Sequence, residues 1–387
     1  MENDAHSAGT PPVPPLPSGP ATPPPLPSGQ PRSGPPSGRG TAGWRLAVVI
    51  LALMLAGSVG LHVLGAMGDW LGPSTPGSHL MEFKLDDVHS RNKIAVVPVT
   101  GVIMGGGEPV SHSLVRTIEQ QLEFAAQDDA VAAVILKVDS PGGAVLASDD
   151  IYQLITNFQN RHNKPVVASL GSVAASGGYY VSAPCRWIVA SELTITGSIG
   201  VIMQTYNFRG LMNKVGVRPL TYKSGKFKDM LGMSKELDNL TREEKAEWEE
   251  EQVLMKRMID ETYGRFRSVV AEGRRAANAA NAAAGDPGRK LSPRWTEFAD
   301  GRILSGREAH ELGLVDELGN WETAVRRAKQ LADIKDASLV TYREPFNLGG
   351  LLGILGGQES RTVKVDLGVE IPQLKSGLYF LAPALLP

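Results

Sequence analysis

Ser176 lies in a run of small residues, Ala-Ala-Ser-Gly-Gly over residues 174–178. Three lysines follow it along the chain: Lys223, Lys226 and Lys228. A serine hydroxyl is a weak nucleophile until a neighbouring base removes its proton. A lysine amine serves as that base when burial lowers its pKa towards neutral pH. The glycines after the serine would let a substrate approach closely and would offer N–H groups to an oxyanion. These residue types favour a Ser/Lys hydrolase.

The choice of general base stays open at this level. The three lysines alternate along a predicted strand edge and loop, and their positions favour Lys228 only slightly. A Ser-His-Asp triad is the alternative, because triads are defined by geometry and not by order in the sequence. The globular part of the chain holds His112, His162 and His310. A turn at the end of a helix holds His162 and a polar helix holds His310, so we expect both at the surface.

Two further turns are predicted to join the serine. Ser140–Gly143 ends a predicted strand, and Thr196–Gly200 is rich in hydroxyl groups that can orient an ammonium. Ligands of parallel α/β sheets bind at the carboxyl ends of the strands, where such turns meet. The alternative is structural, because turns of this composition are common after strands and an Ala-Ser-Gly-Gly run also permits close helix packing.

The functional interpretation gives each residue a role. Ser176 attacks a carbonyl, Lys228 takes its proton, and Ser198 holds the lysine amine in place. The backbone N–H groups of Gly143 and Gly177 receive the oxyanion, and the loss of one such donor typically lowers the rate by about 10²–10³.

Strands that alternate with helices are predicted to position these turns. The predicted strands are 94–99, 131–138 and 166–170, and the predicted helices are 111–127 and 146–161. This alternation indicates an α/β fold with a parallel sheet and crossover helices. The unbroken apolar runs suit strands that are covered on both faces. A capping box at 241–244 predicts a helix to about residue 272, followed by an inserted surface segment over 273–290.

The N-terminal part of the chain differs sharply in composition. Residues 1–43 are rich in proline and are predicted to be a disordered cytoplasmic tail. Residues 44–68 are predicted to be a transmembrane helix, because Leu46 to Gly68 contains no charge. Arginines precede this span without acidic residues, which predicts a cytoplasmic N-terminus. Residues 69–92 are then a linker, 93–335 a peptidase domain on the outer side of the cytoplasmic membrane, and 336–387 a C-terminal extension.

Composition excludes several classes of partner. The net charge is −2 and the isoelectric point is near 6.4, so nucleic acid is not an expected ligand. Cys185 is the single cysteine, which rules out an intramolecular disulfide and is expected to be a buried thiol. We find no cluster of cysteine and histidine with metal-ligand spacing, so neither a metal nor another cofactor is expected.

Five strings in register resemble the signal peptide peptidase A family. They are Asp139–Gly143, Ala175–Tyr179, Thr196–Gly200, Lys223–Asp229 and the stretch from Asp300 to Asp316. The resemblance covers about residues 94–335 and implies that Ser176 is the nucleophile and Lys228 the base. It also matches Ser198 to the serine that supports the lysine and Gly143 to the glycine of the Pro-Gly-Gly turn.

The resemblance further implies a ClpP/crotonase-like fold in a membrane-anchored, bowl-shaped oligomer. Neighbouring protomers of that oligomer would contribute the serine and the lysine of one site. We expect the short form of the family, with one catalytic domain. The proline-rich tail and the 273–290 segment depart from the family pattern.

These observations predict a membrane-bound serine endopeptidase that cleaves hydrophobic peptides, in particular remnant signal peptides. A crotonase-type acyl-CoA enzyme is a rival, but it would use carboxylates and act in the cytoplasm. A non-catalytic crotonase-like membrane scaffold is a second rival, and it would not require Ser176, Lys228 and Ser198 together. A stomatin-linked membrane protease with the same dyad is the third, although such proteins typically carry further C-terminal spans.

Overall fold

The computed structural model describes residues 45, 47–59, 80–104, 114–343 and 378–382. The chain divides into two compact units, Met1–Thr75 and Pro76–Pro387. In the first unit, residues 47–59 are helical and their aliphatic side chains are exposed. No helix within the described ranges combines the length and the apolar character that a membrane span requires. The predicted tail at 1–43 and part of the predicted anchor at 44–68 lie outside these ranges.

The second unit alternates strands and helices. Its strands are β1 (Met81–Asp86), β2 (Lys93–Thr100), β3 (Val131–Ser140), β4 (Gly142–Ala144), β5 (Val166–Ala174), β6 (Trp187–Ala190), β7 (Ile195–Gly197), β8 (Ile202–Met203), β9 (Ile303–Ser305), β10 (Glu317–Leu318), β11 (Ser338–Arg343) and β12 (Leu378–Leu381). Its helices are α1 (Leu114–Gln127), α2 (Val145–His162), α3 (Gly177–Ser182), α4 (Arg209–Lys214), α5 (Arg242–Ala283), α6 (Gly306–Glu311) and α7 (Trp321–Leu331), with a 3₁₀ turn at Trp295–Phe298.

The main sheet has the strand order β1-β11-β2-β3-β5-β6-β10. Every neighbouring pair from β11 to β10 is parallel, whereas β1 is antiparallel at the edge. β7 pairs in parallel with the C-terminal end of β5 and pairs antiparallel with β9. The predicted α/β fold with a parallel sheet is therefore confirmed. A second, three-stranded antiparallel sheet has the order β4-β12-β8.

Apolar side chains cover both faces of the main sheet. In β2, Ala95 and Val97 point into the larger core with α1, α2 and α5, whereas Ile94 and Val96 point into a smaller core with α7. Alternate residues of a strand face opposite sides, so two covered faces require an unbroken apolar run. This explains why β2 and β3 read as nearly continuous hydrophobic segments.

Two predicted boundaries are corrected by β1 and β11. The predicted linker at 69–92 contains β1, and the predicted C-terminal extension from residue 336 contains β11. β11 lies between β1 and β2, so it is an interior strand of the main sheet. The sequence of β1, Met-Glu-Phe-Lys-Leu-Asp, alternates apolar and charged residues with the period of a strand. The residues on either side of β1 have the composition of a linker, which is why the alternation was not recognised as a strand.

The surface segment predicted at 273–290 is also corrected. α5 begins at the predicted capping box on Thr241 but continues to Ala283. Gly273, Ala277 and Asn281 are buried and recur every four residues, which places them on one face of the helix. A Cβ on Gly273 would lie 2.5 Å from the carbonyl oxygen of Ala183. The small residues of this stretch therefore serve close packing against the core.

Candidate active site

Strand pairing brings the three predicted turns together. β3 and β5 are in register at Ser140 and Ala174, and the N–H of Ala175 donates to the carbonyl of Ser140 at 3.1 Å. The third turn follows β7, and the N–H of Ser176 donates to the carbonyl of Gly197 at 2.8 Å. The turns therefore meet at the carboxyl end of the sheet, where α/β folds bind their ligands.

Ser176 is held in a rare backbone conformation at the start of α3. Its φ and ψ angles are 53° and −116°, a region that residues with a Cβ seldom occupy. Such strain persists where surrounding contacts enforce it, and a sharp strand-to-helix turn is the geometry that presents a nucleophilic serine. The side chain is buried, and its Oγ has no hydrogen-bond partner within the described residues. A hydroxyl in this state is free to meet a substrate or a base.

Closely packed glycines surround Ser176. A Cβ on Gly177 would lie 2.7 Å from the Ser148 Oγ and 3.0 Å from the Gly143 nitrogen. A Cβ on Gly143 would lie 1.9 Å from the carbonyl oxygen of Ile103. Both positions therefore exclude a side chain. The backbone nitrogens of Gly143 and Gly177 are near neighbours beside the serine, as two donors to one oxyanion must be.

Ser198 lies in the same group of turns. It follows Gly197, which accepts the hydrogen bond from Ser176, and its own N–H donates to the carbonyl of Arg302 at 2.7 Å. Ser198 is buried and has a positive φ of 51°. Four predicted site residues, at positions 143, 176, 177 and 198, are therefore close together in one chain.

Lys228 is not part of this group. It lies in the segment 204–240, here called the lysine arm, and its side chain is exposed. Lys223 donates to Asp229 and Glu247, and these hydrogen bonds raise the pKa of its amine. Lys226 is ion-paired with Glu250. The Lys228 amine forms no hydrogen bond with Ser176, with Ser198 or with any other residue in the described part of the chain.

One cluster of carboxylates in the arm region is close enough to ligate a cation. Asp229, Glu247 and Glu251 form it. Lys223 lies 2.9 Å from Asp229 and 3.0 Å from Glu247, and Lys235 pairs with Glu251. The two ammonium groups pair with all three carboxylates, so the cluster is an ion-pair network that fastens the lysine arm to α5.

The histidines and the cysteine lie in other environments. His162 contacts the Phe158 ring, with 5.4 Å between the ring centroids. Burial and the charge of Arg289 lower the pKa of His310. Neither imidazole is hydrogen-bonded to Ser176 in the ranges that the structure covers. Cys185 is buried as predicted, and burial raises the pKa of its thiol to about 12.

The strand β12 is a component of this region that the sequence analysis missed. It pairs antiparallel with β4, where Phe380 lies opposite Gly143, and also with β8. The N–H of Ala382 donates to the carbonyl of Pro141 at 3.0 Å. Tyr379 and Phe380 are of residue types that are enriched in strands, and this is the local signal that could have identified β12.

Two protein-family models match the chain. The model described as peptidase family S49 matches residues 158–335, which include the Ser176 turn and the lysine arm. The model described as Clp protease matches residues 95–186, which include most of β2 and all of β3 and β5. The second match agrees with the predicted ClpP-like fold.

Several known proteins are similar over most of the chain. A protein of Synechocystis named as a protease is 38% identical over 283 residues, which are 72% of this chain and 89% of the relative. A protein of Enterococcus faecium named as signal peptide peptidase SppA is 35% identical over 69% of this chain and 71% of its own length. The chloroplastic serine protease SPPA of Arabidopsis thaliana is 33% identical over 71% of this chain and 38% of its own.

Among solved structures, a membrane-bound stomatin-specific protease covers 62% of this chain and 86% of its own. Its sequence is 15% identical to that of this chain, and the TM-score is 0.35. The Synechocystis and Enterococcus relatives are similar over 89% and 71% of their own length, respectively. The chain therefore belongs to peptidase family S49, the signal peptide peptidase A family, and is a serine peptidase.

Proposed function

We propose that the chain is a membrane-bound Ser/Lys endopeptidase that cleaves hydrophobic peptides, remnant signal peptides among them. The observation that carries the proposal is the state of Ser176, which is buried, strained and without a hydrogen-bond partner in the described residues. A structural serine in a core would satisfy its hydroxyl, because a buried unpaired polar group is costly. A nucleophile instead keeps its hydroxyl free for the reaction.

In the proposed mechanism, the Ser176 Oγ attacks the carbonyl carbon of the scissile peptide bond. The Lys228 amine takes the hydroxyl proton, and the N–H groups of Gly143 and Gly177 bind the oxyanion. Collapse of the intermediate breaks the C–N bond, and the lysine returns the proton to the leaving amine. A water molecule, deprotonated by the same lysine, then hydrolyses the acyl-serine ester and regenerates Ser176.

Lys228 would reach Ser176 from a neighbouring copy of the chain. Within one chain its amine is exposed and unpaired among the described residues, while the neighbouring Lys223 and Lys226 are ion-paired. Burial favours the uncharged form of an amine, and a second copy packed over the lysine arm would supply that burial. The exposed apolar residues of the lysine arm, Leu220 and Tyr222 among them, are typical of a surface that another copy covers. Ser198 would then orient the incoming amine.

The membrane location rests on the sequence. Leu46 to Gly68 contains no charge and is preceded by Arg32, Arg39 and Arg45, a pattern that favours one span with the N-terminus in the cytoplasm. The peptidase unit would then lie on the outer side of the cytoplasmic membrane, close to peptides that leave the bilayer. The name of the Enterococcus relative, signal peptide peptidase, supports the same class of substrate.

The test compares the detergent-purified full chain with Ser176→Ala, Lys228→Ala and Lys226→Ala on a fluorogenic hydrophobic signal peptide. Loss of the nucleophile or of the base is expected to lower kcat by about 10⁴-fold or more. Lys226→Ala is the matched control, because this exposed lysine is ion-paired with Glu250 and should be dispensable. Full activity of Lys228→Ala would disprove the dyad, and a wild type that cleaves no peptide would disprove the peptidase assignment.

A further inference from the structure

A groove, here called the α7 groove, runs along one side of α7. Its helical wall includes Trp321, Val325 and Lys329, which recur every four residues and so lie on one face of the helix. The opposite wall is the main sheet, with Lys137 of β3 and Leu339 of β11. The groove has a volume of about 720 Å³. It lies on the face of the sheet that α7 covers, whereas α3 and the Ser176 turn pack on the other face.

The strand β1 extends the groove with an apolar surface at the edge of the sheet. Phe83 is paired with Thr341, and Leu339, two residues before Thr341, packs in the core with α7. Directly paired residues share a face of a sheet, as do alternate residues of one strand, so Met81 and Phe83 face the side of α7. Both are exposed, as is Leu85, which lines the groove. An apolar surface of this kind is typical of an interaction site.

Three lysines without an ion pair line the same groove. They are Lys137, Lys329 and Lys335. None of their amines forms a hydrogen bond or an ion pair with a residue that the structure describes. The Lys137 amine lies over the Trp321 ring, 5.3 Å from its centroid, so an aromatic face is the partner of this cation. The three ammonium groups are therefore available to an anion.

The other charges of the groove leave this positive excess in place. Asp86 and Glu322 are its carboxylates, and they are fewer than the three lysines. The guanidinium of Arg326 also lines the groove, but it is paired with Glu317. A ligand that suits the groove has an anionic group for the lysines and an apolar part for the walls. An anionic amphiphile meets both requirements.

The position of β1 in the chain indicates where such an amphiphile comes from. Residues 69–80 separate β1 from the uncharged run of Leu46 to Gly68, the proposed span. Even when fully extended, these residues reach at most about 40 Å. In the proposed topology, β1 therefore begins within that distance of the outer membrane–water interface. Anionic phospholipids are the amphiphiles of that interface, and basic pockets near a membrane bind their head groups.

We propose that the α7 groove binds an anionic phospholipid of the membrane in which the chain is anchored. The lipid phosphate lies among Lys137, Lys329 and Lys335, and an acyl chain contacts Trp321 and the apolar face of β1. This contact fixes the peptidase unit at the membrane surface in addition to the anchor. The inference rests on the membrane location in the proposed function, and it does not depend on the chemistry of Ser176.

The test measures lipid binding to the detergent-purified full chain by native mass spectrometry. The two lipids are phosphatidylglycerol and phosphatidylcholine with identical acyl chains, which differ in net charge. We expect wild type to bind phosphatidylglycerol at least about tenfold more tightly. In the variant that combines Lys137→Gln, Lys329→Gln and Lys335→Gln, the affinity for phosphatidylglycerol should fall by about 10²-fold, since each basic residue near an anionic lipid contributes about fivefold.

A second triple variant is the matched control for charge. It combines Lys214→Gln, Lys245→Gln and Lys290→Gln, which remove the same charge from exposed positions outside the groove. It should bind phosphatidylglycerol as wild type does. All variants carry the same N-terminal segment, so any lipid held by the anchor contributes equally to each measurement.

A leucine pair tests the apolar half of the proposal. Leu85→Asp places a carboxylate in the groove and should weaken binding of phosphatidylglycerol by about tenfold. Leu193→Asp makes the same change at an exposed position outside the groove and should have no effect. Glycerol 3-phosphate carries the phosphate without acyl chains, and it should not displace the lipid.

The possible outcomes identify other occupants. Equal affinity for the two lipids, or unchanged binding in the Lys137, Lys329 and Lys335 variant, would overturn the lipid site. Displacement by glycerol 3-phosphate would also overturn it and assign the groove to a soluble phosphate ester. If Leu85→Asp changes the sedimentation of the assembly and not lipid binding, the groove is an interface between copies.

The same samples separate this inference from the proposed function. Because the groove and α3 lie on opposite faces of the sheet, the lysine variants should cleave a fluorogenic peptide in detergent with the kcat of wild type. Specific lipid binding by a wild type that cleaves no peptide would reject the peptidase mechanism alone. Recovery of the full chain from the soluble fraction would reject the membrane location. Flotation with phosphatidylglycerol vesicles would then still test the groove, and failure to float would overturn it.

Discussion

The Ser176 turn and the lysine arm differ in almost every physical respect. The turn is buried, its backbone is hydrogen-bonded to β3 and β7, and its glycines leave no room for side chains. The arm is exposed along most of its length and is fastened to α5 by ion pairs such as Lys223 with Glu247. One chain therefore fixes the position of the proposed nucleophile and leaves the proposed base in solvent.

The two regions differ in how far their proposed chemistry depends on assembly of several copies. A strained backbone and an oxyanion site need precise packing, which a single folded domain supplies. A lysine base needs a lowered pKa, and that requires burial which the exposed arm of a single chain does not provide. If a second copy supplies the burial, isolated chains would be inactive, and activity would appear only where copies meet.

The largest expected effect comes from mixing two inactive chains. Ser176→Ala keeps the base and Lys228→Ala keeps the nucleophile, so a site shared between adjacent copies can combine one intact residue from each. Co-expressed in equal amounts, the two variants should recover about a quarter of wild-type activity, because about a quarter of the sites in a mixed ring contain both residues. The activity of each variant alone should be at least about 10³-fold lower than the activity of the mixture. Activity would be measured on the co-purified assembly with the same fluorogenic peptide.

The control for this experiment is the double variant, which carries both substitutions in one chain and is expressed alone. It has no intact pair in any arrangement and should stay inactive. Active wild type together with an inactive mixture would show that one chain supplies both residues, and the arm would then have to fold back onto its own Ser176.

The next largest effect is expected from replacing a glycine of the Ser176 turn by alanine. Gly177→Ala should lower kcat by about 10²–10³, because the added methyl group would clash with Ser148 and with the Gly143 nitrogen, a donor of the proposed oxyanion site. Gly264→Ala is the matched control, since no atom lies within 4 Å of its Cβ position on α5. That change should leave kcat unaltered and raise the free energy of unfolding by roughly 0.5–1 kcal/mol, measured by urea denaturation. Equal losses in both variants would argue against an oxyanion role for this turn.

A smaller effect is expected from the surface of the arm. Leu220 is 79% exposed and Leu193, which lies outside the arm, is 87% exposed. Leu220→Asp should weaken contacts between copies, shift the assembly towards smaller species in analytical ultracentrifugation, and lower activity about tenfold at low protein concentration. Leu193→Asp should change neither quantity. If both variants sediment and cleave like wild type, the exposed apolar residues of the arm do not form the interface.

The same contrast separates what the sequence predicts from what it does not. The turns that hold Ser176, Gly143 and Ser198 are predicted from local composition, because each is a run of small residues near the end of a strand. The strands β1, β11 and β12 are missed because their partners lie far away along the chain, as in the pairing of Phe380 with Gly143. The alternation in β1 and the aromatic residues of β12 indicate strands, but local sequence does not indicate which distant strand each one pairs with.

The continuation of α5 is missed for a related reason. The alanine and asparagine residues after position 273 have the composition of a surface insert, and only their spacing of four residues indicates a buried face. The role of Lys228 is different again. The folded chain does not bring it to Ser176, so neither the sequence pattern nor the fold of one chain tests the assignment that the family resemblance implies.

The smallest expected effect concerns Cys185, which lies in the buried core near the Ser176 turn. It is completely buried three residues after the end of α3, and burial raises the pKa of its thiol to about 12. At pH 8 very little of this thiol is then ionised, and the thiolate is the form that reacts with iodoacetamide. Native enzyme should therefore remain unmodified by mass spectrometry and fully active after treatment, whereas protein unfolded in guanidinium chloride should be alkylated once. Modification of the native enzyme with loss of activity would show that the core behind Ser176 opens to solvent. The contrast between a closed nucleophile region and an open lysine arm would then have to be abandoned.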